Sequence, residues 1–344
     1  MRTIATAVGP SFEAVVIDAP GFAALRDVLM PVVGADEVVI EVEYVGVCGT
    51  DLEIHRGTLG YFKDGLAEYP IIPGHEVSGR IAAVGDAVRD LEKDDPVVVE
   101  CIQGCGACTQ CLRQNPIGCP DRRELGVMRA NGGYARYLVV NSRFVHRLPA
   151  ATGLALAALC EPLAVALKGL RRLADTWADD EPKVCGVIGG GPLGRLCASV
   201  LSLRGHSVTL FDRDRRRLDD AGKAGFATAD ALDHLDQFET LIDVSGNSAA
   251  LRAVLDHSAP GNTVLLLGFP YSRLEFDFEK LVAYDRKLVG SVGSTAADFE
   301  CAIGLLPQLN VAPFLNHVLP LEEFADAWRA VTARECLKVL LKAH

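Results

Sequence analysis

Four of the eleven cysteines fall within fifteen positions, as Cys105-x2-Cys108-x2-Cys111-x7-Cys119. Four thiolates match a closed tetrahedral zinc site, which contributes folding energy directly and leaves no coordination position open. Gly104, Gly106, Gly118 and the polar residues between the thiols argue against a packed interior. An iron–sulfur run would place three residues before its last Cys, whereas this loop has seven. Cys101 stands outside the spacing as a bystander. A second set of donors is scattered: Cys48 in Cys48-Gly49-Thr50-Asp51, His75 and Glu76 after Gly74, and Glu161 in Cys160-Glu161-Pro162. A thiolate, an imidazole and a carboxylate from three places would leave one position on zinc for water or a substrate oxygen. Each also has an ordinary structural reading: Cys48 as a small buried hydrophobe, His75 as a satisfied core residue, Glu161 as a charge at a helix N-terminus. Spacing alone does not separate the two.

A third piece of chemistry is the run Gly189-Gly190-Gly191-Pro192-Leu193-Gly194, which follows an apolar strand and opens a helix. In such a dinucleotide loop Gly189 permits the tight turn, Gly191 lets backbone approach a pyrophosphate, and Gly194 lets helix pack on strand. The helix N-terminus, with Pro192 and Leu193 in its first turn, offers N–H groups and a positive dipole end to phosphates. Asp212 ends the next strand, 23 residues past Gly189. An acid there accepts both hydroxyls of an adenosine ribose and favours NAD. Arg213, with Arg215, Arg216 and Arg217, could instead meet a 2′-phosphate, so NADP stays open.

Two textures position these groups. Up to about residue 155 the chain is rich in Gly and Pro, with short β-branched runs such as Glu37–Tyr44, Gly79–Val84 and Pro96–Glu100, which predict twisted small sheets. Beyond about residue 160 apolar strands (183–188, 207–211, 240–244, 263–267, 287–292) alternate with helices (192–204, 213–224, 248–256, 279–285). Leu193, Leu196, Val200 and Leu203 mark the buried face of the first of these helices. That alternation predicts a parallel, doubly wound sheet. The tail carries a helix near 321–331 and a last strand at 337–342.

The composition excludes several function classes. With 34 Lys+Arg against 45 Asp+Glu, the net charge is -11, which argues against a general nucleic-acid or anionic-membrane surface. Glu13 and Asp18 interrupt the stretch a secretory leader would need, and Glu161, Pro162 and Lys168 break the most apolar run, Leu154–Leu170. An odd number of cysteines without a leader fits thiols in a reducing cytoplasm.

CGTD, GHE, the four-cysteine lobe, EPLAVALKG and GGGPLG, in that order, resemble the zinc-dependent medium-chain dehydrogenases (the alcohol dehydrogenase superfamily) over nearly the whole chain. The EP pair at Glu161 is similar to the polyol, glucose and threonine branches. The resemblance implies an α/β fold: a mainly β, GroES-like catalytic domain (1–160 and 291–344, its lobe at about 101–120) around a Rossmann domain (161–290). It implies two zinc ions per chain. The structural one sits on Cys105, Cys108, Cys111 and Cys119; the catalytic one on Cys48 and His75, with Glu161 where many relatives carry Cys. Glu76 is then an alternate ligand or a carboxylate behind the ligands, and Cys160 a conceivable substitute for Glu161. Thr50 matches the hydroxyl that passes the substrate proton outward, against the plainer reading of a hydroxyl bonded to backbone. The spacing of His55 departs from the related enzymes.

The implied reaction is reversible oxidation of a secondary alcohol of a polyol, sugar, cyclitol or amino alcohol, with hydride transfer to NAD(P). CGTDLEI and Leu288–Ser294 look most like glucose dehydrogenases, while Gly132-Gly133-Tyr134 suits sorbitol-, threonine- or aminocyclitol-type enzymes. The alternatives are a threonine-type or simple alcohol dehydrogenase, and a catalytically retired binding member, which would be expected to lose the donors present here. A zinc-free reductase would lack both the lobe and GHE. The partners implied are a small-molecule substrate and further copies of the chain in a homodimer or homotetramer, in the cytoplasm, with no nucleic acid or membrane.

Overall fold

The computed structural model describes residues 11–268 and 274–344. Residues 1–10 and 269–273 lie outside them. The chain divides into two units, Met1–Glu161 with Ser294–Leu306 and Val311–His344, and Pro162–Gly293 with Pro307–Asn310.

In the first unit, Glu37–Gly46 is the central strand. It pairs antiparallel with Glu76–Val84, Tyr137–Asn141 and the C-terminal strand Leu340–Lys342. Pro96–Val99 and Val145–Arg147 extend the sheet on one side, and Val318–Pro320 on the other, the last pairing parallel to Leu340–Lys342. The alternation in EVVIEVEY places Val38, Ile40 and Val42 in the core, beside Ile81, Val97, Leu138 and Leu341. A hairpin of Ser11–Ala19 and Phe22–Leu29 adds Val15, Val16 and Ile17 to the same core. Three very short strands, Ile102–Gln103, Arg123–Leu125 and Arg129–Ala130, hold the base of the four-cysteine loop.

The second unit carries six parallel strands in the order 227–229, 207–211, 184–188, 240–243, 263–266, 287–290. Renumbered along the chain this is 3-2-1-4-5-6, the dinucleotide-binding order, whose ligand crevice lies where the order reverses. That reversal falls between Val184–Ile188 and Thr240–Asp243, both almost wholly buried. The helix after the glycine run is Pro192–Leu203; its buried residues include Leu196, Cys197, Val200 and Leu201, whereas Leu203 is exposed because the helix ends there. The next helix is shorter than the pattern predicts, Arg215–Lys223, because the Asp214 side chain caps it by accepting from Arg216 N. The tail helix begins with a 3-10 turn at Leu321–Glu323 and is α-helical over Phe324–Ala333. Among the described residues no helix is long and apolar enough to cross a membrane.

Candidate active site

Cys48 ends the loop after the central strand and is the N-cap of helix Gly49–Arg56. Asp51, at the third position of that helix, accepts from Cys48 N at 2.9 Å and so fixes the turn that presents the thiol. His75 and Glu76 arrive where the neighbouring strand begins, paired with Gly46. The ligand atoms of Cys48, His75 and Glu76 lie within 4.8 Å of one another, and the His75 and Glu76 residues are buried.

The groups behind them were not among the sequence candidates. Asp51 is fully buried, with its Oδ1 accepting from Gly74 N at 3.2 Å and lying 3.7 Å from His75 Nδ1. The Tyr134 hydroxyl donates to its Oδ2 at 3.1 Å. Burial raises the Asp51 pKa while His75 and the Cys48 amide pull it down. For His75, burial favours the neutral ring, but Cys48, Asp51 and Glu161 outweigh it and leave the pKa well above the usual value. A thiolate, an imidazole and a carboxylate converging this closely are a donor set that fits a zinc ion.

Glu76 is matched by Lys338, 262 residues along the chain, whose ammonium donates to Oε1 at 2.5 Å and to Val47 O at 2.9 Å. A Cβ at Gly46 would stand 1.9 Å from Glu76 Oε2, so only glycine leaves room for this carboxylate. The pair is almost completely buried, and removing one partner strands the other charge. Lys338→Met is therefore expected to destabilise the chain by about 3–5 kcal/mol. An unchanged urea midpoint at unchanged slope would contradict this.

Glu161 opens helix Cys160–Ala174 and is buried beside the same groups, outside the mutually close set. Burial pushes its carboxyl up to about 7, with His75 and Lys338 pulling down and Glu76 and Asp51 pushing up. The Cys160 thiol is pushed up to about 12 by burial, which suits a neutral thiol rather than a thiolate donor. Thr50 Oγ1 lies 3.6 Å from Cys48 Sγ. The His55 ring packs on that of Trp328, with centroids 4.8 Å apart.

Cys105, Cys108, Cys111 and Cys119 also lie within 4.8 Å of one another. Backbone amides point at their sulfurs: Cys105 N to Cys119 at 3.3 Å, Cys108 N to Cys105 at 3.3 Å and Cys111 N to Cys108 at 3.5 Å. Amides of Ala107 and Cys108 lower the Cys105 thiol to about 6. Four convergent sulfurs with amide donors fit a tetrahedral zinc. Cys101 is buried outside this set, and all eleven cysteines are free of disulfides.

In the second unit the glycine run closes tightly. A Cβ at Gly194 would lie 1.9 Å from Gly189 O, so the helix packs against the strand end only with glycine there. Gly191 is the helix N-cap, and Pro192 and Leu193 form its first turn. Asp212 Oδ2 accepts from Gly190 N at 2.8 Å and Oδ1 accepts from Asp214 N at 2.9 Å. Arg213 is exposed. The arginine that faces Asp212 is Arg217, with Nη1 at 3.5 Å, and Arg215 and Arg216 pair with Asp230 and Asp214.

Two family models match the chain: an alcohol dehydrogenase GroES-like domain over residues 34–150 and a glucose dehydrogenase C-terminus over residues 154–342. The chain is 30% identical to D-altritol 5-dehydrogenase of Agrobacterium fabrum, over 88% of this chain and 91% of that protein. It is 28% identical to sorbitol dehydrogenase of Halalkalibacterium halodurans, over 93% of this chain and 96% of that protein. The fold superposes on galactitol-1-phosphate dehydrogenase of Escherichia coli with a TM-score of 0.84 at 27% identity, covering 96% of this chain and all of that one.

Proposed function

The chain belongs to the zinc-dependent medium-chain dehydrogenases, NAD(P)-linked oxidoreductases of alcohols and polyols, and from that premise we propose that it oxidises a secondary alcohol of a polyhydroxylated substrate. The observation that carries this reading is the convergence of Cys48, His75 and Glu76 in a buried site. These three would hold the catalytic zinc, with the Glu161 carboxylate adding charge beside it, and the four lobe thiols would hold a structural one. When bound, the catalytic ion supplies Lewis acidity that brings the pKa of an alcohol hydroxyl toward neutrality.

The chain's own groups do the rest. Asp51 faces Nδ1 of His75 at 3.7 Å, a charge contact beyond hydrogen-bond reach. Lys338 keeps the Glu76 carboxylate in place. Thr50, beside Cys48, would relay the substrate hydroxyl proton, its own hydroxyl hydrogen passing to solvent water as that proton arrives. A nicotinamide coenzyme, when bound, would supply the hydride acceptor that turning the carbinol into a carbonyl requires.

The Asp212 carboxylate at the end of the second parallel strand supports NAD as the coenzyme, because a 2′-phosphate there would meet a negative charge. Asp212→Gly is expected to lower kcat/KM with NAD by about 10–100-fold and to narrow the gap to NADP, in line with loss of a charged hydrogen bond. Equal use of both coenzymes by the unaltered protein would contradict the NAD assignment.

Free thiols throughout support a reducing, cytoplasmic setting. Strand Lys287–Gly290 ends its sheet, and exposed Phe278 and Val282 nearby support a homo-oligomer, a dimer or tetramer. The test of function is NAD and NADP reduction on polyols, aldoses, aminocyclitols, threonine and simple alcohols, with and without a chelator. Chelator-sensitive turnover of one polyhydroxylated group is the expected result; turnover indifferent to metal removal would overturn it.

A further inference from the structure

The Tyr134 side chain is completely buried, and its ring lies on the backbone that leads into His75. A Cβ at Gly74 would stand 2.3 Å from Cδ1 of that ring, and the φ of Gly74 is +94°, so only glycine suits the contact. The two segments are also joined along their backbones. Gly133 N donates to Gly74 O at 2.8 Å and Tyr134 N to Pro73 O at 3.0 Å. The ring is held on both counts, and its hydroxyl is delivered to one place.

That place is Asp51. One of its oxygens, Oδ2, accepts from Cys48 N at 2.9 Å, and the other, Oδ1, accepts from Gly74 N at 3.2 Å. Asp51 thus clasps the two stretches of chain that bear the Cys48 and His75 donors. The Tyr134 hydroxyl is its third donor, on Oδ2 at 3.1 Å. Behind it, Trp328 Nε1 of helix Phe324–Ala333 reaches the same hydroxyl in a long contact at 3.5 Å. An indole N–H can only donate and an ionised carboxylate can only accept, so the hydroxyl hydrogen is committed to Asp51. Indole, hydroxyl and carboxylate then form one directed chain in which each bond polarises the next.

We propose that Tyr134 is a positioning residue for the metal donors: oriented by Trp328, its hydroxyl locks the carboxylate that clasps the Cys48 segment to the His75 segment. This rests on the zinc reading above. A carboxylate with two amide donors can still tilt and let the two segments drift; a third donor from a rigid ring removes that freedom. Donors held in register before the ion arrives lose little freedom on binding it, and the ion then escapes slowly. The C-terminal helix thereby takes part in the metal site without supplying a ligand.

The test follows zinc release from the holoenzyme into excess chromophoric chelator. Each ion is expected to leave in its own phase, and the phase missing from His75→Ala is the catalytic one. Tyr134→Phe keeps the ring on Gly74 and removes the hydroxyl. It is expected to speed the catalytic phase about tenfold or more and to leave the lobe phase within about twofold. Trp328→Phe gives a smaller acceleration of the same phase. Should Tyr134→Phe not fold, an unchanged catalytic phase in Trp328→Phe would still overturn the proposal. The double variant releases zinc no faster than Tyr134→Phe alone, because the indole acts only through the hydroxyl. An unchanged catalytic phase in Tyr134→Phe would overturn the proposal, as would equal acceleration of both phases, the mark of a generally loosened fold. Accelerations that multiply in the double variant would overturn the part given to Trp328. A single zinc per chain in the unaltered protein would instead defeat the two-zinc reading, and the proposal with it.

Discussion

Cys105→Ser is expected to lower zinc from about two per chain to about one and the thermal midpoint by roughly 10 °C or more. The reason lies in what the lobe lacks. Across residues 105–120 Cys119 alone is buried, and Leu112 points into solvent. A loop of that length with no apolar core has nothing to offset its ordering entropy except the metal. Without the ion, the four sulfurs are left to weak hydrogen bonds at 3.3 to 3.5 Å. The loss would spread, because the strands at the lobe base, Ile102–Gln103 and Arg123–Leu125, are only two and three residues long. Cys301→Ser, at an exposed cysteine of helix Ala296–Leu305, is the control and should change neither quantity. An unchanged metal content in Cys105→Ser would sink the zinc assignment of the lobe, and an unchanged midpoint its structural role.

The lobe and the glycine run were legible because each packs its chemistry into one short segment, where spacing alone brings the atoms together. The parallel sheet was legible for a different reason. Its central strands are largely buried on both faces and carry apolar residues at successive positions, as Val187 and Ile188 in Val184–Ile188 and Leu241 and Ile242 in Thr240–Asp243. Strand Ala227–Ala229 escaped because it is three residues long at the sheet edge and largely exposed, so neither length nor pattern marks it. The metal donors Cys48, His75 and Glu76 could be named only through a family resemblance, since each has an equally good structural reading alone. Their supports could not be named at all. Lys338 lies in an ordinary run before the last strand, and it acquires meaning only when that strand pairs with residues 44–46 and brings it onto Glu76. Asp51 did carry a local signal: an acid three residues after an N-cap closes a capping box, although here the same acid also faces an imidazole.

His75→Ala is expected to lower kcat/KM by about a thousandfold or more while leaving a folded, coenzyme-binding protein. The imidazole is one of three donors whose atoms lie within 4.8 Å, and neither Cys48 nor Glu76 can take its place. Both are already held, Cys48 by its position at the helix N-cap and Glu76 by Lys338. The surroundings should nevertheless survive the loss. Asp51 keeps the Cys48 amide, the Gly74 amide and the Tyr134 hydroxyl as donors, so its buried carboxylate is not left bare. Losing His75 and the ion it would hold leaves the buried Asp51 carboxylate with less positive charge facing it, which costs stability without opening the core. The glycine run and Asp212 belong to the other unit, so NADH affinity measured by fluorescence should stay within about twofold. Zinc should fall by about one per chain, the lobe ion remaining. Those three readouts separate a lost ligand from a lost fold: collapse of NADH binding would mean unfolding, and turnover preserved within tenfold would remove His75 from the chemistry.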